Sequence, residues 1–270
     1  MTDGSNYLIS IIMPAYQAEG TIKDSINSIL NQTYKKWELI IVDDFSNDKT
    51  KEISNIFCEN DKRIRYQKLE KNYGGPAHPR NVGIKISNGN IIAFCDSDDV
   101  WNPFKLEKQL EVFKDHNIED VLLCSRRIKF TDITSLEFPS IRNKGIKILS
   151  RSKVLRSNGI ILSSVLVSKN SLIDCNYFDE ANELIAVEDY DMWLKMIQIG
   201  KKIIFLNDTL IGYRVLSSSL SAIKVKRVEK FRQVYQNYYT RLNVKFFIVF
   251  KSYLRVFHYI IIWAFRRFIK

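Results

Sequence analysis

The chain has 270 residues, of which 46% are hydrophobic and 26% charged, so it can bury the core of a large globular domain. It contains no internal repeat or low-complexity run, which excludes solenoid and fibrous proteins. The formal net charge is +11, and much of the excess lies near the C-terminus, where no acidic residue follows Glu229. A basic segment of this kind is typical of chains that contact an anionic membrane or nucleic acid.

Cysteine spacing and the first residues indicate a cytoplasmic protein. Four scattered cysteines without a C-x-x-C pair argue against a disulfide framework and against a zinc site. The opening stretch, "MTDGSNYLIS", contains an early aspartate and no apolar segment, so no secretory signal is visible. We therefore expect reduced thiols and a cytoplasmic location.

Strand-like and helix-like patterns alternate along the first part of the chain. The predicted strands are "LISIIMP", "WELIIVDD", "RIRYQKL" and residues 90–95, and the predicted helices are residues 20–31, "SNDKTKEISNIF", "GGPAHPRNVGIKIS" and residues 103–116. Ser46 or Asn47 would cap the second helix, and Val82, Ile84 and Ile86 would pack the third. This order predicts an α/β fold with a doubly wound, mostly parallel, Rossmann-like sheet and helices on both faces.

Acidic residues follow two of the predicted strands. Asp43 and Asp44 end the second strand, and Asp96, Asp98 and Asp99 follow the fourth. In a doubly wound sheet these positions lie at the carboxyl edge, where ligands bind. Such close like charges repel unless a cation neutralises them, and carboxylate oxygens suit a hard divalent ion beside phosphate. We therefore predict a metal–phosphate site, the alternative being that these aspartates fill a turn and cap the next helix.

Two common phosphate-binding motifs are absent from the sequence. It contains neither G-x-x-x-x-G-K-[ST] nor G-x-G-x-x-G after the first strand. A nucleotide would then be held by a metal, by carboxylates that contact its sugar and base, and by basic side chains such as Arg80.

Three blocks of sequence together resemble the family 2 glycosyltransferases, which are inverting enzymes of the GT-A fold. The blocks are "SIIMPAYQAEGTIKDSINSILNQTYKKWELIIVDDFSNDKT", "NYGGPAHPRNVGIKISNGNIIAFCDSDDVWNPFKLEKQL" and "VEDYDMWLKM". The resemblance ends near residue 215. We therefore predict a catalytic domain over 1–215 and a basic, aromatic-rich helical region over 216–270.

The resemblance also implies roles for individual residues. Those that would bind the nucleotide are Pro14, Ala15, Tyr16, Asp43, Arg80 and Asp96. Among them, Asp43 would accept a hydrogen bond from uracil and Asp96 would hold the ribose hydroxyls. Asp98, with Asp99 as a second candidate, would ligate Mn2+ or Mg2+ beneath the diphosphate. The segment His78-Pro79-Arg80 departs from the "ARN"-like pattern of the family.

An acidic cluster at a predicted helix start supplies the candidates for a general base. Inverting transfer needs a base that deprotonates the acceptor hydroxyl opposite the leaving diphosphate. The resemblance implies Asp189 in this role; from the cluster itself, Asp191 is the second candidate for the base, and both Glu188 and Asp191 are candidates for catalytic support. The alternative is that these acids only interact with the positive end of the helix dipole. Trp193 would either stack on a sugar or belong to the core.

The final segment, "KSYLRVFHYIIIWAFRRFIK", predicts an amphipathic helix. Its basic residues share one narrow face, opposite a broad apolar face. Charges interrupt it too often for a membrane span, so we predict a helix that lies on the membrane surface. The alternative is a helix that packs on the catalytic domain or on a second subunit of a homo-oligomer.

Together these observations predict a metal-dependent, inverting glycosyltransferase, peripheral at the cytoplasmic face of the membrane. It would move a sugar from a nucleotide-sugar donor, preferably a UDP-hexose, to a glycan or lipid-linked saccharide in surface polysaccharide synthesis, with no nucleic acid partner. One alternative is a sugar nucleotidyltransferase, although "MPAYQAEG" lacks the glycine-rich basic loop expected there. Another is a catalytically inactive module that binds membrane or nucleic acid.

Overall fold

The computed structural model describes residues 7–142, 145–216 and 227–242. Its strands are β1 (Ile9–Ala15), β2 (Trp37–Asp43), β3 (Ile64–Lys68), β4 (Ile91–Phe94), β5 (Val100–Trp101), β6 (Val121–Phe130), β7 (Ile146–Leu149), β8 (Leu166–Ser168) and β9 (Lys202–Arg214). Its helices are α1 (Ile22–Leu30), α2 (Thr50–Asn60), α3 (Ala77–Ile86), α4 (Lys105–Val112), α5 (Arg151–Arg156), α6 (Lys169–Asp174), α7 (Glu188–Gln198) and α8 (Arg227–Arg241).

These strands form one mixed sheet of nine strands in the order β3-β2-β1-β4-β8-β6-β9-β5, with β7 paired to β9. Strand β1 runs parallel to β2 and β4, and β2 runs parallel to β3, as the alternating pattern predicts. Beyond β4 the directions mix, because β8 is antiparallel to β4 and β6 while β5 and β7 are antiparallel to β9. The predicted parallel order therefore describes the N-terminal half of the sheet, and the second half adds antiparallel strands.

Two hydrophobic cores lie on opposite faces of the sheet, because side chains alternate between faces along each strand. On β1, Ile12 contributes to one core, whereas Ile11 and Met13 contribute to the other. The first core also contains Trp193 of α7, which is fully buried, and the second contains Ile26 of α1. Helices therefore cover both faces of the sheet. Of the two alternatives for Trp193, stacking on a sugar or packing in the core, the structure shows the second.

Helix α3 packs unusually close to the sheet at Gly83. A Cβ atom on this residue would lie 2.6 Å from Cγ2 of Ile12, so a side chain here would force either Ile12 or the helix to move. Ile84 is fully buried, whereas Ile86 at the helix end is 40% exposed, so its predicted packing is wrong. The close approach fixes the position of Arg80, which lies one turn earlier on the same helix.

Helix α2 begins later than its predicted caps. It starts at Thr50, whose backbone N–H donates to Oδ1 of Asp48 at 3.0 Å. The hydroxyl of Ser46 instead donates to Asp43 at 2.5 Å. The predicted cap at Ser46 or Asn47 is therefore wrong, because α2 begins at Thr50 and the Ser46 hydroxyl bonds to Asp43 in the turn after β2.

Helix α8 packs against α7. Arg241 donates to the Asp191 carboxylate at 3.0 Å, and Gln198 donates to the backbone carbonyl of Tyr238 at 2.9 Å. Helix α8, which belongs to the predicted C-terminal region, thus contacts the catalytic domain.

The predicted surface helix falls within 243–270, outside the described residues. Among the residues that are described, every helix is too short or too polar to cross a lipid bilayer.

Candidate active site

The predicted nucleotide-binding residues gather at the carboxyl ends of neighbouring strands. Pro14 and Ala15 end β1 and are buried, and Tyr16, the next residue, is 53% exposed. Asp43 ends β2, and Asp96 lies just beyond β4. Because β1, β2 and β4 are parallel neighbours, all of these residues lie on one edge of the sheet.

Asp43 is fully buried, and both of its carboxylate oxygens accept hydrogen bonds from other residues of the protein. Its Oδ1 atom accepts from the backbone N–H of Ser46 at 2.9 Å and from the hydroxyl of Ser46 at 2.5 Å. Its Oδ2 atom accepts from the Tyr66 hydroxyl, whose pKa is raised by burial and by this carboxylate. Asp43 therefore stabilises the turn after β2, and its contact with a nucleotide base stays a prediction.

Arg80 joins two parts of this edge. The side chain is 4% exposed, and its Nη2 atom donates to Oδ1 of Asp96 at 2.8 Å. Its Nη1 atom donates to Oε1 of Glu188 at 2.6 Å. The second Glu188 oxygen, Oε2, is buried without a hydrogen-bond partner in the part of the chain described. One arginine thus connects the residue predicted to hold the ribose with the start of α7.

In the acidic turn after β4, positive charge compensates Asp98 and Asp99 only in part. The Oδ1 atom of Asp99 accepts from the backbone N–H of Arg214 at 3.2 Å, whereas its buried Oδ2 atom has no partner among the described residues. Burial and then the charge of Asp96 raise the pKa of Asp98 to about 6. Burial and then Asp98 raise the pKa of Asp99 well above its usual value. At Asp98, burial and the neighbouring carboxylate outweigh the opposing charges of Arg214 and Arg80.

The carboxylates of this turn are of the kind that would hold a divalent cation. Within residues 7–142, 145–216 and 227–242, no three carboxylate, histidine or cysteine side chains converge to hold a metal by themselves. Mg2+ in phosphate sites commonly takes one or two carboxylates and completes its shell with phosphate and water, and oxygen ligands also suit Mn2+. The unpartnered Asp99 oxygen and the raised pKa of Asp98 agree with such a site.

Arg214, at the end of β9, stabilises the same turn and was not predicted to do so. Its Nε atom donates to the backbone carbonyl of Asp98 at 3.0 Å, and its Nη2 atom donates to Asp24 of α1 at 2.7 Å. The guanidinium also lies 4.6 Å from the ring centroid of Phe130. Arg214 lies in the segment "GYR" at the end of β9, and no local pattern in the sequence indicates its contact with a turn 115 positions away.

Asp189 lies in the first turn of α7, where it is partly buried. Nδ2 of Asn158 donates to its two carboxylate oxygens at 3.0 and 3.1 Å, and the backbone N–H of Tyr190 donates at 2.6 Å. Burial and then the charge of Glu188 raise the pKa of Asp189 to about 7, whereas Asn158 and Arg80 lower it. A carboxylate with this pKa suits proton transfer near neutral pH.

Asp191 has a different environment from Asp189. It is fully buried and forms ion pairs with Lys195 at 3.5 Å and with Arg241 of α8 at 3.0 Å. The structure thus brings Glu188 and Asp189 to the edge of the sheet, and it places Asp191 in the contact between α7 and α8.

A cleft opens between the loops that precede α3 and α7. Its lining includes Tyr73, His78, Glu180, Ile185 and Glu188. The rings of Tyr73 and His78 stack with centroids 3.6 Å apart, and Nδ1 of His78 lies 2.8 Å from Oε2 of Glu180. The cleft therefore reaches Glu188, the residue that precedes the candidate base in the sequence, along a wall that the sequence did not indicate.

Comparison with known proteins identifies related enzymes. The family description Glycosyl transferase family 2 matches residues 10–178. UDP-Glc:alpha-D-GlcNAc-diphosphoundecaprenol beta-1,3-glucosyltransferase WfgD from Escherichia coli is 33% identical over 230 residues, which cover 83% of this chain and 84% of WfgD. The putative teichuronic acid biosynthesis glycosyltransferase TuaG from Bacillus subtilis (strain 168) is 30% identical over 231 residues, which cover 85% of this chain and 87% of TuaG.

Solved structures share the fold. S. aureus TarS 1-349 in complex with UDP-GlcNAc matches with a TM-score of 0.73 at 23% identity, covering 93% of this chain and 72% of that chain. A longer TarS chain matches over 38% of its length, so this chain spans only part of that protein. The likeness confirms the predicted GT-A fold, in which this mixed sheet carries helices on both sides.

Proposed function

Because the chain belongs to the family 2 glycosyltransferases, we propose that it moves a sugar from a nucleotide-sugar donor, preferably a UDP-hexose, to a hydroxyl of a glycan or lipid-linked saccharide. The name of WfgD, a UDP-Glc-dependent enzyme, and the TarS complex with UDP-GlcNAc support the donor class. The diphosphoundecaprenol acceptor in the name of WfgD and the teichuronic acid pathway in that of TuaG support a role in surface polysaccharide synthesis.

The observation that carries this proposal is the ion-paired network of Asp96, Arg80 and Glu188. A single inverting displacement needs the leaving group and the general base on opposite sides of one sugar. The network brings the acidic turn, where the donor diphosphate would bind, next to the helix start that holds Asp189. The proposed site for the leaving diphosphate and the proposed general base would therefore lie at the same edge of the sheet.

The donor would lie across the carboxyl ends of β1, β2 and β4. The exposed ring of Tyr16 would contact the base, and Asp96 would hold the ribose hydroxyls. Asp98, with Asp99 as the second candidate, would hold Mg2+ or Mn2+, which when bound neutralises charge on the departing diphosphate. Arg80 would keep Asp96 oriented through its 2.8 Å hydrogen bond.

Asp189 would act on the acceptor. As the acceptor oxygen attacks the anomeric carbon, its proton passes to the Asp189 carboxylate and the bond from that carbon to the diphosphate oxygen breaks. One displacement inverts the configuration, and no enzyme nucleophile is required. A pKa of about 7 leaves part of the carboxylate ionised at neutral pH while keeping it basic enough to receive the proton.

A panel of nucleotide sugars tests this function through the release of nucleoside diphosphate in the presence of Mn2+ or Mg2+. We expect release from one UDP-sugar, and we expect excess chelator or Asp98→Asn to abolish turnover. Full activity of the wild type in chelator would remove the metal from the mechanism. Formation of UTP from a UDP-sugar and pyrophosphate would instead indicate a sugar nucleotidyltransferase.

The Asp189→Asn variant separates binding from chemistry, because it keeps the shape of the side chain and removes its basicity. Donor affinity should survive, while transfer should fall by about two to four orders of magnitude. Asp174→Asn is the matched control, since that aspartate is exposed at the end of α6. If Asp191→Asn showed the loss of transfer and Asp189→Asn did not, the assignment of the base would be wrong.

A further inference from the structure

Asn158 contacts the candidate base although no motif in the sequence marks it. It lies in the loop after α5 and is 31 positions from Asp189 along the chain. Its Nδ2 atom donates to Oδ1 of Asp189 at 3.0 Å and to Oδ2 at 3.1 Å. The nearly equal distances place the amide nitrogen between the two oxygens, so this contact fixes the plane in which the carboxylate lies.

The Asn158 amide has no competing partner in the described part of the chain. Its buried Oδ1 atom forms no hydrogen bond there, and the described hydrogen bonds of its Nδ2 atom both go to Asp189. An asparagine whose role was to stabilise its own loop would be expected to bond backbone groups of that loop. This one is oriented by a carboxylate on another element.

Two charged groups act on Asp189 with opposite signs. Glu188, its neighbour on α7, disfavours the ionised form, whereas Arg80 of α3 favours it. The Nη atoms of Arg80 are already bonded to Glu188 and Asp96, at 2.6 and 2.8 Å. Among the described residues, Asn158 is thus the only side chain that donates a hydrogen bond to the base.

We propose that Asn158 is a positioning residue for the base, and that its amide holds the Asp189 carboxylate in one orientation and in its ionised form. This inference rests on the proposed function, in which Asp189 accepts the proton of the acceptor hydroxyl. A hydrogen bond to the charged form of an acid favours that form, so its loss raises the pKa of the acid. The acidic limb of the pH–rate profile should then move to higher pH when the amide is removed.

The test measures kcat/KM for the acceptor from about pH 5 to about pH 9 at saturating donor, in the wild type and two variants. Asn158→Asp keeps the size of the side chain and places a second carboxylate against the base, so its acidic limb should move up by about one pH unit or more. At neutral pH its kcat/KM should fall about fivefold or more and recover in part as the pH rises. Asn158→Ala should show a smaller shift, and the KM for the donor should be unchanged in both.

Asn170→Asp is the matched control, because its exposed amide also donates to a carboxylate, that of Glu119, at 3.2 Å. It makes the same change of charge away from the base, so its acidic limb should stay in place. Thermal unfolding of each variant separates a shifted limb from a loss of folded protein. If both Asn158 variants lose the same fraction of activity at every pH, or if the limb does not move, the residue only stabilises its loop.

Failure of this inference is distinguishable from failure of the proposed function. If the wild type turns over no nucleotide sugar, or if Asp189→Asn retains transfer, the function or its base is wrong. An unmoved limb in an active enzyme whose Asp189→Asn variant is inactive overturns the role of Asn158 alone.

Discussion

Replacing Lys105 with methionine is expected to stabilise the protein near neutral pH, and this gain should shrink as the pH rises. Lys105 begins α4 and is fully buried. Its Nζ atom donates to Oε1 of Gln109 at 2.8 Å and lies 3.9 Å from the ring centroid of Trp101. No described carboxylate forms a salt bridge with it, and burial lowers its pKa from 10.5 to about 7. The native protein therefore opposes protonation of this amine.

The magnitude follows from proton linkage. Between pH 7 and 10.5 the unfolded chain binds more protons at this position than the native chain, so wild-type stability rises with pH. At about 1.4 kcal/mol per pH unit, burial of this lysine costs on the order of 4 kcal/mol at pH 7 and about 2 kcal/mol at pH 9. Methionine removes that cost but leaves Oε1 of Gln109 without a donor, at about 1 to 3 kcal/mol. The net gain at pH 7 is thus about 1 to 3 kcal/mol, and it nearly disappears at pH 9.

Urea unfolding at about pH 7 and about pH 9, followed by tryptophan fluorescence and far-ultraviolet circular dichroism, measures this difference. The advantage of Lys105→Met over the wild type should decrease by about 2 kcal/mol between the two conditions. Lys108→Met is the control, because this lysine of the same helix is less buried and pairs with Glu111 at 2.9 Å. A difference that does not change with pH, or a variant less stable than the wild type at pH 7, would refute the reasoning.

Two other predictions concern the acidic turn and the C-terminal segment. Arg214→Lys keeps the charge but cannot reach both Asp98 and Asp24, so the metal concentration for half-maximal activity should rise about tenfold; an unchanged metal requirement would contradict this role. Deleting residues 244–270 should release the protein from anionic vesicles, at about 1 kcal/mol per well-placed cation, and leave UDP-sugar binding intact. If the full chain does not bind vesicles, and light scattering shows that the deletion converts an oligomer to a monomer, that segment is a subunit interface.

The parallel half of the sheet was predictable because its strands and helices have clear local patterns. Strand β1 is a buried run of seven residues, and α1 repeats isoleucine at helical spacing. By contrast β5, β7 and β8 contain only two, four and three residues, and they pair with strands distant in the sequence. Their antiparallel directions depend on tertiary contacts that no local pattern records.

The candidate site was predictable in part for a similar reason. Strand ends mark the edge where Asp43, Asp96 and Asp98 lie, and this follows from the sheet alone. Asn158 and Arg214 reach the site from 31 and 115 positions away along the chain, so their contacts appear only in three dimensions.

The acidic cluster of α7 shows a second limit of the sequence. Asp189 and Asp191 both suit the start of a helix, and their composition does not distinguish them. Two positions on a helix differ by about 200° around its axis, so these side chains point in nearly opposite directions. Asp189 meets Asn158, while Asp191 pairs with Lys195 and Arg241. Which of the two faces the sheet edge depends on the rotation of the packed helix.

The buried arginine of α3 limits how this enzyme could be recombined with its relatives. Asp96 belongs to the turn after β4, whereas Glu188 belongs to α7, which follows β8 in the chain. A chimaera joined between these elements would take the half proposed to bind the donor from one parent and the half that carries the proposed base from the other. Since Arg80 pairs with a carboxylate from each half, at 2.8 and 2.6 Å, both parents would have to supply matching partners for one guanidinium. An exchange across this boundary in this chain therefore has to keep Asp96, Arg80 and Glu188 able to pair with one another.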